Sequence, residues 1–256
     1  MRNEFVQTKN WSRFQGAISA LNSRGAQECR LTVVDGKPGL GKTTILTKWA
    51  VNEGGIYLRA KAEWTPNWLL GELLTELHVA PPHGRNARFN AALEAIGAKM
   101  IAAEMSGTQF GIVIDEADHV ARKALLVETL RDLADIAAVP VMLVGMGAIR
   151  DQLKRYPQVS SRVSRYVRFE PADQEDVQRF LDVQCEVPVA PSLASFVLKA
   201  TGGFNREIRE AIVSIERTAE RLDRKPDQPL ELEQMTGRHL INDRATGQPI
   251  HVKAAV

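Results

Sequence analysis

The chain has 256 residues, of which 44% are hydrophobic, and this is enough apolar sequence to bury a full core in one large domain with a smaller appendage. Disorder of the whole chain is therefore excluded. Charged residues make up 25% and leave a formal net charge of +2, so the global charge favours no class of charged partner. The apolar stretches are too short to span a bilayer, which predicts a soluble, cytoplasmic protein without a membrane partner.

Short apolar runs rich in β-branched residues alternate with longer stretches of helical periodicity, which is the pattern of a parallel sheet with crossover helices. The predicted strands cover residues 31–35, 56–59, 110–115, 139–144 and 166–169. The predicted helices lie near residues 12–23, 42–52, 66–78, 88–104, 121–134 and 148–154. The fold class that follows is α/β, with five parallel strands.

From residue 171 onward the strand signal stops, and three helical segments follow near residues 173–184, 191–200 and 205–222. This change predicts an α/β subdomain over residues 1–170, a helical lid subdomain over 171–224 and a C-terminal tail over 225–256. The tail lacks long apolar periodicity, and we therefore expect it to be loosely packed.

A glycine-rich stretch with the sequence GKPGLGKTT follows the first strand and leads into a helix. It satisfies the phosphate-loop pattern G-x-x-x-x-G-K-[ST] in the strand-to-helix setting that the pattern needs. Glycines let the backbone wrap phosphates with its N–H groups pointing inward, and the helix N-terminus favours negative charge. The sequence therefore predicts an ATP site. The residues expected to bind the nucleotide are Gly36, Pro38, Gly39, Leu40, Gly41, Lys42, Thr43 and Thr44.

Four side chains of this predicted site have separate roles. Lys42 is expected to neutralise the β- and γ-phosphates, and the Thr43 hydroxyl to ligate Mg²⁺. Asp115 and Glu116 end the third strand, at the edge where open parallel sheets place their ligands. Asp115 is expected to hold Mg²⁺ through water, and Glu116 to act as general base on the attacking water. An accidental glycine turn and a solvated acidic turn are the alternatives, and the pairing of the two motifs disfavours both.

Beyond these motifs the sequence resembles the AAA+ class of ATPases. The loop has the GxPGxGKT form, Glu116 directly follows Asp115, an arginine-bearing stretch precedes the fifth strand, and residues 202–206 read GGFNR, like the sensor 2 motif GG-x-x-R. The resemblance implies a P-loop NTPase core with a five-stranded parallel sheet and a C-terminal helical lid. It also implies that Arg206 contacts the γ-phosphate from the lid.

Arg162 and Arg165 lie where the AAA+ class carries its arginine finger. The resemblance implies head-to-tail assembly, in which one of the two reaches the nucleotide of the neighbouring subunit and stabilises charge on the transferring phosphoryl group. The sequence does not choose between them, and solvated arginines flanking a strand remain the alternative.

Within the class, the chain looks most like the transposition regulators of the MuB, TniB and TnsC type. The marks of this resemblance are the segments FVQTKN at 5–10, KAEWTP at 61–66, LVGMG at 143–147 and the stretch 150–165, and it covers residues 5–222. It implies two partners, double-stranded DNA and a transposase, and self-association into a helical filament or a ring.

The sequence departs from this type in two places. The end of the fourth strand reads Gly145-Met146-Gly147 where the class often has a polar sensor 1 residue, so we expect slow hydrolysis. Only about 30 residues precede the first strand, too few for a helix-turn-helix module, so DNA contact is expected from the ATPase domain itself. The candidate DNA-binding residues are Lys61, Arg122 and Lys123, which would grip phosphates with little sequence preference.

The function that these features favour is an ATP-dependent, largely sequence-nonspecific DNA-binding ATPase that assembles on target DNA and delivers it to, or activates, a transposase. Two alternatives stay open. One is a helicase loader or replication initiator of the AAA+ class, and the other is a nucleotide-controlled signalling switch that does not bind DNA. A small-molecule kinase is disfavoured, because the helical lid follows the fifth strand and opens with GG-x-x-R.

Overall fold

The computed structural model describes residues 1–22, 30–222 and 227–253, and these group into two units. The sheet unit consists of Arg13–Pro38 and Lys42–Phe169. The helical unit consists of Met1–Ser12, Gly39–Gly41 and Glu170–Val256.

Five strands form one parallel sheet in the sheet unit, and the prediction of a five-stranded parallel α/β fold is confirmed. The strands are β1 (Leu31–Asp35), β2 (Ile56–Arg59), β3 (Ile112–Asp115), β4 (Val141–Gly145) and β5 (Val163–Arg168), in the spatial order β2-β3-β4-β1-β5. All residues of β3 and β4 are buried, because helices cover both faces of a parallel sheet. β5 starts three residues earlier than predicted, since an edge strand tolerates the polar Ser164 and Arg165.

Seven helices accompany these strands in the described residues. They are α1 (Lys9–Asn22), α2 (Lys42–Glu53), α3 (Pro66–Glu76), α4 (Arg85–Ser106), α5 (Ala124–Ile136), α6 (Ile149–Leu153) and α7 (Pro157–Ser160). Thr65 caps α3 by accepting a hydrogen bond from the Trp68 N–H, and Pro66 occupies the first turn, where its missing N–H costs nothing. No helix among the described residues is long and apolar enough to cross a membrane.

The strand order decides which side chains can meet at the site. β4 lies between β1 and β3, and all three strands run in the same direction, so their carboxyl ends share one edge of the sheet. The register pairs Asp35 at the end of β1 with Gly145 at the end of β4. On the other side of β3, Arg59 at the end of β2 is paired with Asp115. The glycine-rich loop and the acidic pair therefore open onto the same edge.

The described part of the helical unit includes three α-helices, a short 3-10 helix at Glu233–Met235 and a two-stranded hairpin. The α-helices are α8 (Gln174–Gln184), α9 (Pro191–Thr201) and α10 (Asn205–Ala219), followed by the antiparallel strands β6 (His239–Asn242) and β7 (Pro249–His251). α10 buries Ile208, Ala211, Ile212 and Ile215, which recur at the spacing of one helix face. Asp173 caps α8 by accepting a hydrogen bond from the Asp176 N–H at 3.1 Å.

The prediction of a loosely packed tail is wrong for the described part of the C-terminal segment. Leu230, Met235 and Leu240 are each 0% exposed and belong to the same apolar cluster as the three helices. Their spacing matches neither a helix nor a long strand, because Leu230 lies in an isolated bridge to Val189, Met235 in a short 3-10 helix and Leu240 in a hairpin strand. Periodicity alone therefore misses them. The predicted boundary between residues 224 and 225 lies outside the described residues.

We predict that Leu240→Ala lowers the free energy of unfolding by about 2 to 5 kcal/mol, because it removes a fully buried side chain from the helical unit. Urea denaturation followed by circular dichroism measures the change. Arg238→Ala, an exposed position of the same segment, is the control and should stay within about 0.5 kcal/mol of the parent. Equal stability of the Leu240→Ala variant and the parent would show that the segment is not part of the core.

Candidate nucleotide site

Lys42 is the first residue of α2 and lies against the backbone of its own loop in the sheet unit. Its Nζ donates hydrogen bonds to the carbonyl oxygens of Gly36 and Lys37, the latter at 3.0 Å. Burial lowers the pKa of this ammonium, while the carboxylates of Asp115 and Asp35 act in the opposite direction. The loop thus holds a nearly buried cation at the N-terminus of a helix, which is an arrangement that binds anions.

The tip of the loop, Gly39–Gly41, belongs to the helical unit and packs against the first residue of α10. The Asn205 N–H donates to the Gly39 carbonyl at 2.9 Å, and Asn205 Nδ2 donates to the Leu40 carbonyl at 3.3 Å. Gly41 has a φ of 80°, and a Cβ there would lie 2.5 Å from Asn205 Nδ2. Glycine is needed at this position for its backbone conformation and for the close approach of the asparagine.

Three hydrogen bonds converge on the carboxylate of Asp115. Its Oδ2 accepts hydrogen bonds from the hydroxyls of Thr43, at 2.7 Å, and Tyr57, at 2.5 Å. Its Oδ1 accepts one from the Glu116 N–H at 2.8 Å. Burial, followed by this hydrogen bond to Asp115, raises the pKa of the Tyr57 hydroxyl. A single side chain that is 6% exposed therefore ties together α2, β2 and the end of β3.

The donor set around Asp115 suits a magnesium ion. Mg²⁺ prefers oxygen ligands and is usually held by one or two protein side chains together with substrate phosphates and waters. The hydroxyl of Thr43 and the carboxylate of Asp115 supply such oxygens at hydrogen-bond distance from each other. The described residues contain no cluster of three or more His, Cys, Asp or Glu side chains that could hold a metal on their own. The residues present therefore fit a nucleotide-bound Mg²⁺.

Glu116 is held in a left-handed conformation and paired with an arginine that the sequence did not single out. Its φ is 54°, which is uncommon for a residue with a side chain. Its Oε1 forms an ion pair with Arg59, and the side chains are 32% and 71% exposed respectively. The ion pair orients the carboxylate of Glu116 towards β2, and it places a cation on the group predicted to act as the general base.

The end of β4, where the AAA+ class often has a polar sensor 1 residue, is occupied by closely packed backbone. A Cβ at Gly145 would lie 2.7 Å from the side chain of Ile149 and 3.0 Å from Asp118 Oδ2. The Met146 N–H donates to the same oxygen of Asp118 at 2.8 Å. The polar group at this point is therefore the carboxylate of Asp118, from the loop after β3, which the sequence analysis did not identify.

The predicted finger arginines have different surroundings. Arg162 forms a 3.5 Å ion pair with Asp135. Arg165 lies on the edge strand β5 and lines a cavity of about 330 Å³ together with Arg13 and Arg168. Arg206 is exposed near the start of α10. The finger role of Arg162 or Arg165 and the lid role of Arg206 remain predictions.

The three candidate DNA-binding residues also differ. Lys123 Nζ donates to the carbonyls of Ala62, at 2.6 Å, and Trp64, at 3.0 Å, and so braces the loop after β2. Lys61 forms an ion pair with Glu72, and its ammonium lies 5.2 Å from the centre of the Trp68 ring. Arg122 is exposed. Arg122 is the most available to a phosphate, since contact through either lysine would compete with an existing interaction.

Tyr57 and Arg59 are two further site residues, besides Asp118, that the sequence analysis missed. They are two positions apart on β2, and successive side chains of a strand point to opposite faces, so both lie on the same face. Their alternation in a short strand was a visible signal. It became informative only with the strand order, which places β2 directly beside β3.

Comparison with known proteins gives a family match and a curated relative. Residues 24–153 match the family model described as AAA domain. The chain is 25% identical over 157 residues to the Mu-like prophage FluMu DNA transposition protein B of Haemophilus influenzae, a match that covers 58% of this chain and 51% of that protein. The chain thus spans about half the length of this curated relative.

Two solved structures show the same fold. The Aeropyrum pernix ORC2 protein in its ADPNP-ADP complexes has a TM-score of 0.61 at 15% identity, over 90% of this chain and 67% of that chain. The Aeropyrum pernix ORC1 protein in complex with DNA has a TM-score of 0.53 at 18% identity, over 85% of this chain and 62% of that chain. At such identities the likeness concerns the fold alone.

We predict that Arg59→Ala raises the basal rate of ATP hydrolysis, because it frees the Glu116 carboxylate from its ion pair. The pair is largely exposed, and pairs of this kind contribute little, so the increase should be about fivefold or less. Phosphate release by the purified protein without DNA measures the rate, and Arg155→Ala, an exposed arginine after α6, is the control. A rate equal to that of the parent would mean that Arg59 does not restrain Glu116.

Proposed function

The chain belongs to the AAA domain family, and on that premise we propose that it is an ATP-dependent, largely sequence-nonspecific DNA-binding ATPase. It assembles on double-stranded target DNA as a helical filament or ring and delivers that DNA to a transposase or activates the transposase. The observation that carries the nucleotide chemistry is the 2.7 Å contact between Thr43 and Asp115, beside a loop that holds the ammonium of Lys42. The similarity to a DNA transposition protein B supports the biological role.

Nucleotide binding follows from the surroundings of Lys42. Its ammonium donates hydrogen bonds to two loop carbonyls, and these are weaker acceptors than phosphate oxygens. A nucleoside triphosphate therefore offers Lys42 charged partners in place of neutral ones. Thr43 and Thr44 are exposed at the start of α2, where the backbone N–H groups of the helix have no partner within the helix.

Hydrolysis needs a base and a neutralised phosphate chain. Thr43 and Asp115 would hold Mg²⁺, which supplies charge neutralisation on the phosphates. Glu116 accepts the proton of the attacking water once its carboxylate has left Arg59. Glu116 must therefore first break its ion pair with Arg59, and the end of β4 offers no polar side chain to position the water. Both features favour a slow basal rate of hydrolysis that rises on assembly.

Assembly is proposed to bring further arginine side chains to the phosphates of ATP. Arg162 or Arg165 acts from a neighbouring subunit as the finger, and Arg206 acts on the γ-phosphate from the lid. Coupling of this kind makes hydrolysis depend on the filament or ring.

DNA binding is proposed through phosphate contacts of the sheet unit. Arg122 is the first candidate because it is exposed, and Lys61 and Lys123 would have to give up the contacts that they make in this structure. Such contacts carry little sequence information and weaken as salt is raised. The printed name of the curated relative, a DNA transposition protein B, supports the presence of a DNA partner.

We predict that the protein forms nucleotide-dependent assemblies on double-stranded DNA. Electron microscopy and filter binding with ATP, a non-hydrolysable analogue or no nucleotide test this at low salt. Assemblies should form with ATP or the analogue and be absent without nucleotide. If DNA is not bound at low salt with ATP present, the DNA-binding function is wrong and a signalling switch is favoured. If the protein instead bound single-stranded DNA in preference to duplex DNA and also bound a helicase, a helicase loader would be favoured.

We predict opposite phenotypes for two substitutions in the ATP site. Lys42→Ala removes the cation of the loop and should abolish ATP binding, as measured by calorimetry. Glu116→Gln keeps the binding residues but removes the base, so ATP should bind with the affinity of the parent while hydrolysis falls by about a hundredfold or more. Hydrolysis by Glu116→Gln at the rate of the parent would contradict the assignment of the base.

A further inference from the structure

Tyr57 lies half-buried on β2, within the sheet unit, and its hydroxyl reaches across to the neighbouring strand. The register pairs Tyr57 with Val113 and Arg59 with Asp115, so Tyr57 is a diagonal neighbour of Asp115. Side chains two positions apart on a strand share one face, which puts Tyr57 and Asp115 on the same face of the sheet. A long aromatic side chain can bridge such a diagonal. The Tyr57 hydroxyl accordingly lies 2.5 Å from Asp115 Oδ2.

The hydrogen bonds of Asp115 use most of its capacity as an acceptor. An ionised carboxylate has about four acceptor sites on its two oxygens. Oδ2 accepts from the hydroxyls of Tyr57 and Thr43, and Oδ1 accepts from the Glu116 N–H. The donors belong to β2, to α2 and to the residue after β3, so the carboxylate is held from three directions. Its orientation is therefore fixed, and acceptor capacity remains on Oδ1.

Tyr57 differs from the other two donors in having no further part in the proposed site. Thr43 would itself be a ligand of Mg²⁺, and the Glu116 N–H is backbone of the predicted base. The carboxylates that bind metals are usually held by hydrogen bonds from such outer partners, which orient them for the ion. The Tyr57 hydroxyl therefore has the position and the chemistry of an outer partner of Asp115.

A donor on a metal-binding carboxylate can have two opposite effects on the ion. It strengthens ion binding if it holds the carboxylate in the binding orientation, and weakens ion binding if it occupies the acceptor that the ion needs. The contact of Thr43 favours the first effect, because the hydroxyl predicted to ligate Mg²⁺ bonds to the same oxygen, Oδ2. Tyr57 thus holds Asp115 in the orientation in which it faces Thr43.

We propose that Tyr57 is a positioning residue for Mg²⁺, whose hydroxyl holds the Asp115 carboxylate in the orientation that receives the nucleotide-bound ion. This inference rests on the proposed ATP-dependent function and deepens it. It adds to the site a side chain that acts on the ion only through Asp115. It also gives β2 a part in the site beyond the ion pair of Arg59 with Glu116.

The test removes the hydroxyl of Tyr57 and leaves the ring. Tyr57→Phe should weaken the binding of Mn²⁺, a spectroscopic substitute for Mg²⁺, by about tenfold or more, as replacement of an outer partner typically does. Electron paramagnetic resonance measures Mn²⁺ binding to the protein loaded with a non-hydrolysable ATP analogue, without turnover. Tyr166→Phe is the matched control, because it makes the same change at an exposed tyrosine of β5, and it should bind Mn²⁺ like the parent.

Two further measurements separate positioning of Asp115 from a general effect on the structure. With a chelator present, Tyr57→Phe and the parent should bind the ATP analogue with equal affinity, because the phosphate loop is unchanged. On the background of Asp115→Asn, Tyr57→Phe should change the affinity for Mn²⁺ by about twofold or less, since the effect depends on the Asp115 carboxylate.

Three results would overturn the proposal. Unchanged or tighter Mn²⁺ binding by Tyr57→Phe would show that the hydroxyl does not help the ion or competes with it. Equal weakening of analogue binding with and without metal would show that Tyr57 supports the fold of the site. A full effect of Tyr57→Phe on the background of Asp115→Asn would show that Tyr57 does not act through Asp115.

The result for the parent protein separates the two levels of the proposal. If the parent does not bind the ATP analogue, the proposed function fails and the inference fails with it. If the parent binds the analogue together with Mn²⁺, in a manner that Lys42→Ala abolishes, and Tyr57→Phe binds Mn²⁺ equally well, the inference alone fails.

Discussion

The carboxylate of Asp115 is the point on which the site in the sheet unit depends. Three hydrogen bonds converge on it, from the hydroxyls of Thr43 and Tyr57 and from the Glu116 N–H. Because these donors belong to α2, β2 and the residue after β3, one buried acid sets the spacing between the phosphate loop and the predicted base. A parallel sheet makes this possible, since its strands end at a common edge.

Two charged side chains of the site, Lys42 and Glu116, are held by contacts within the protein. Lys42 is bound to carbonyls of its own loop, and Glu116 is turned towards Arg59, so both groups that are predicted to act on ATP have protein partners in this structure. The glycines at the end of β4 leave Asp118 as the polar group there. This arrangement agrees with the proposed regulation by assembly, in which a neighbouring subunit or partner would release Glu116 from Arg59.

The sequence predicted those parts of the molecule that depend on short-range patterns. The five strands, the loop from Gly36 to Thr44 and the pair Asp115-Glu116 are contiguous segments whose local chemistry is sufficient. Tyr57 and Arg59 needed the order of the strands, which depends on long-range pairing. The packing of Leu230, Met235 and Leu240 was missed because these buried residues of the C-terminal segment follow no simple period. The catalytic roles of the site residues remain predictions.

The central claim is that Asp115 joins the loop to a nucleotide-bound Mg²⁺. The most direct measurement is the affinity of ATP for the parent and for Asp115→Asn, by calorimetry with Mg²⁺ and with a chelator. The account predicts that Mg²⁺ strengthens ATP binding to the parent, whereas Asp115→Asn, which keeps an acceptor oxygen but loses the charge, binds ATP with nearly the same affinity in both conditions. An equal gain from Mg²⁺ in the two proteins would contradict it.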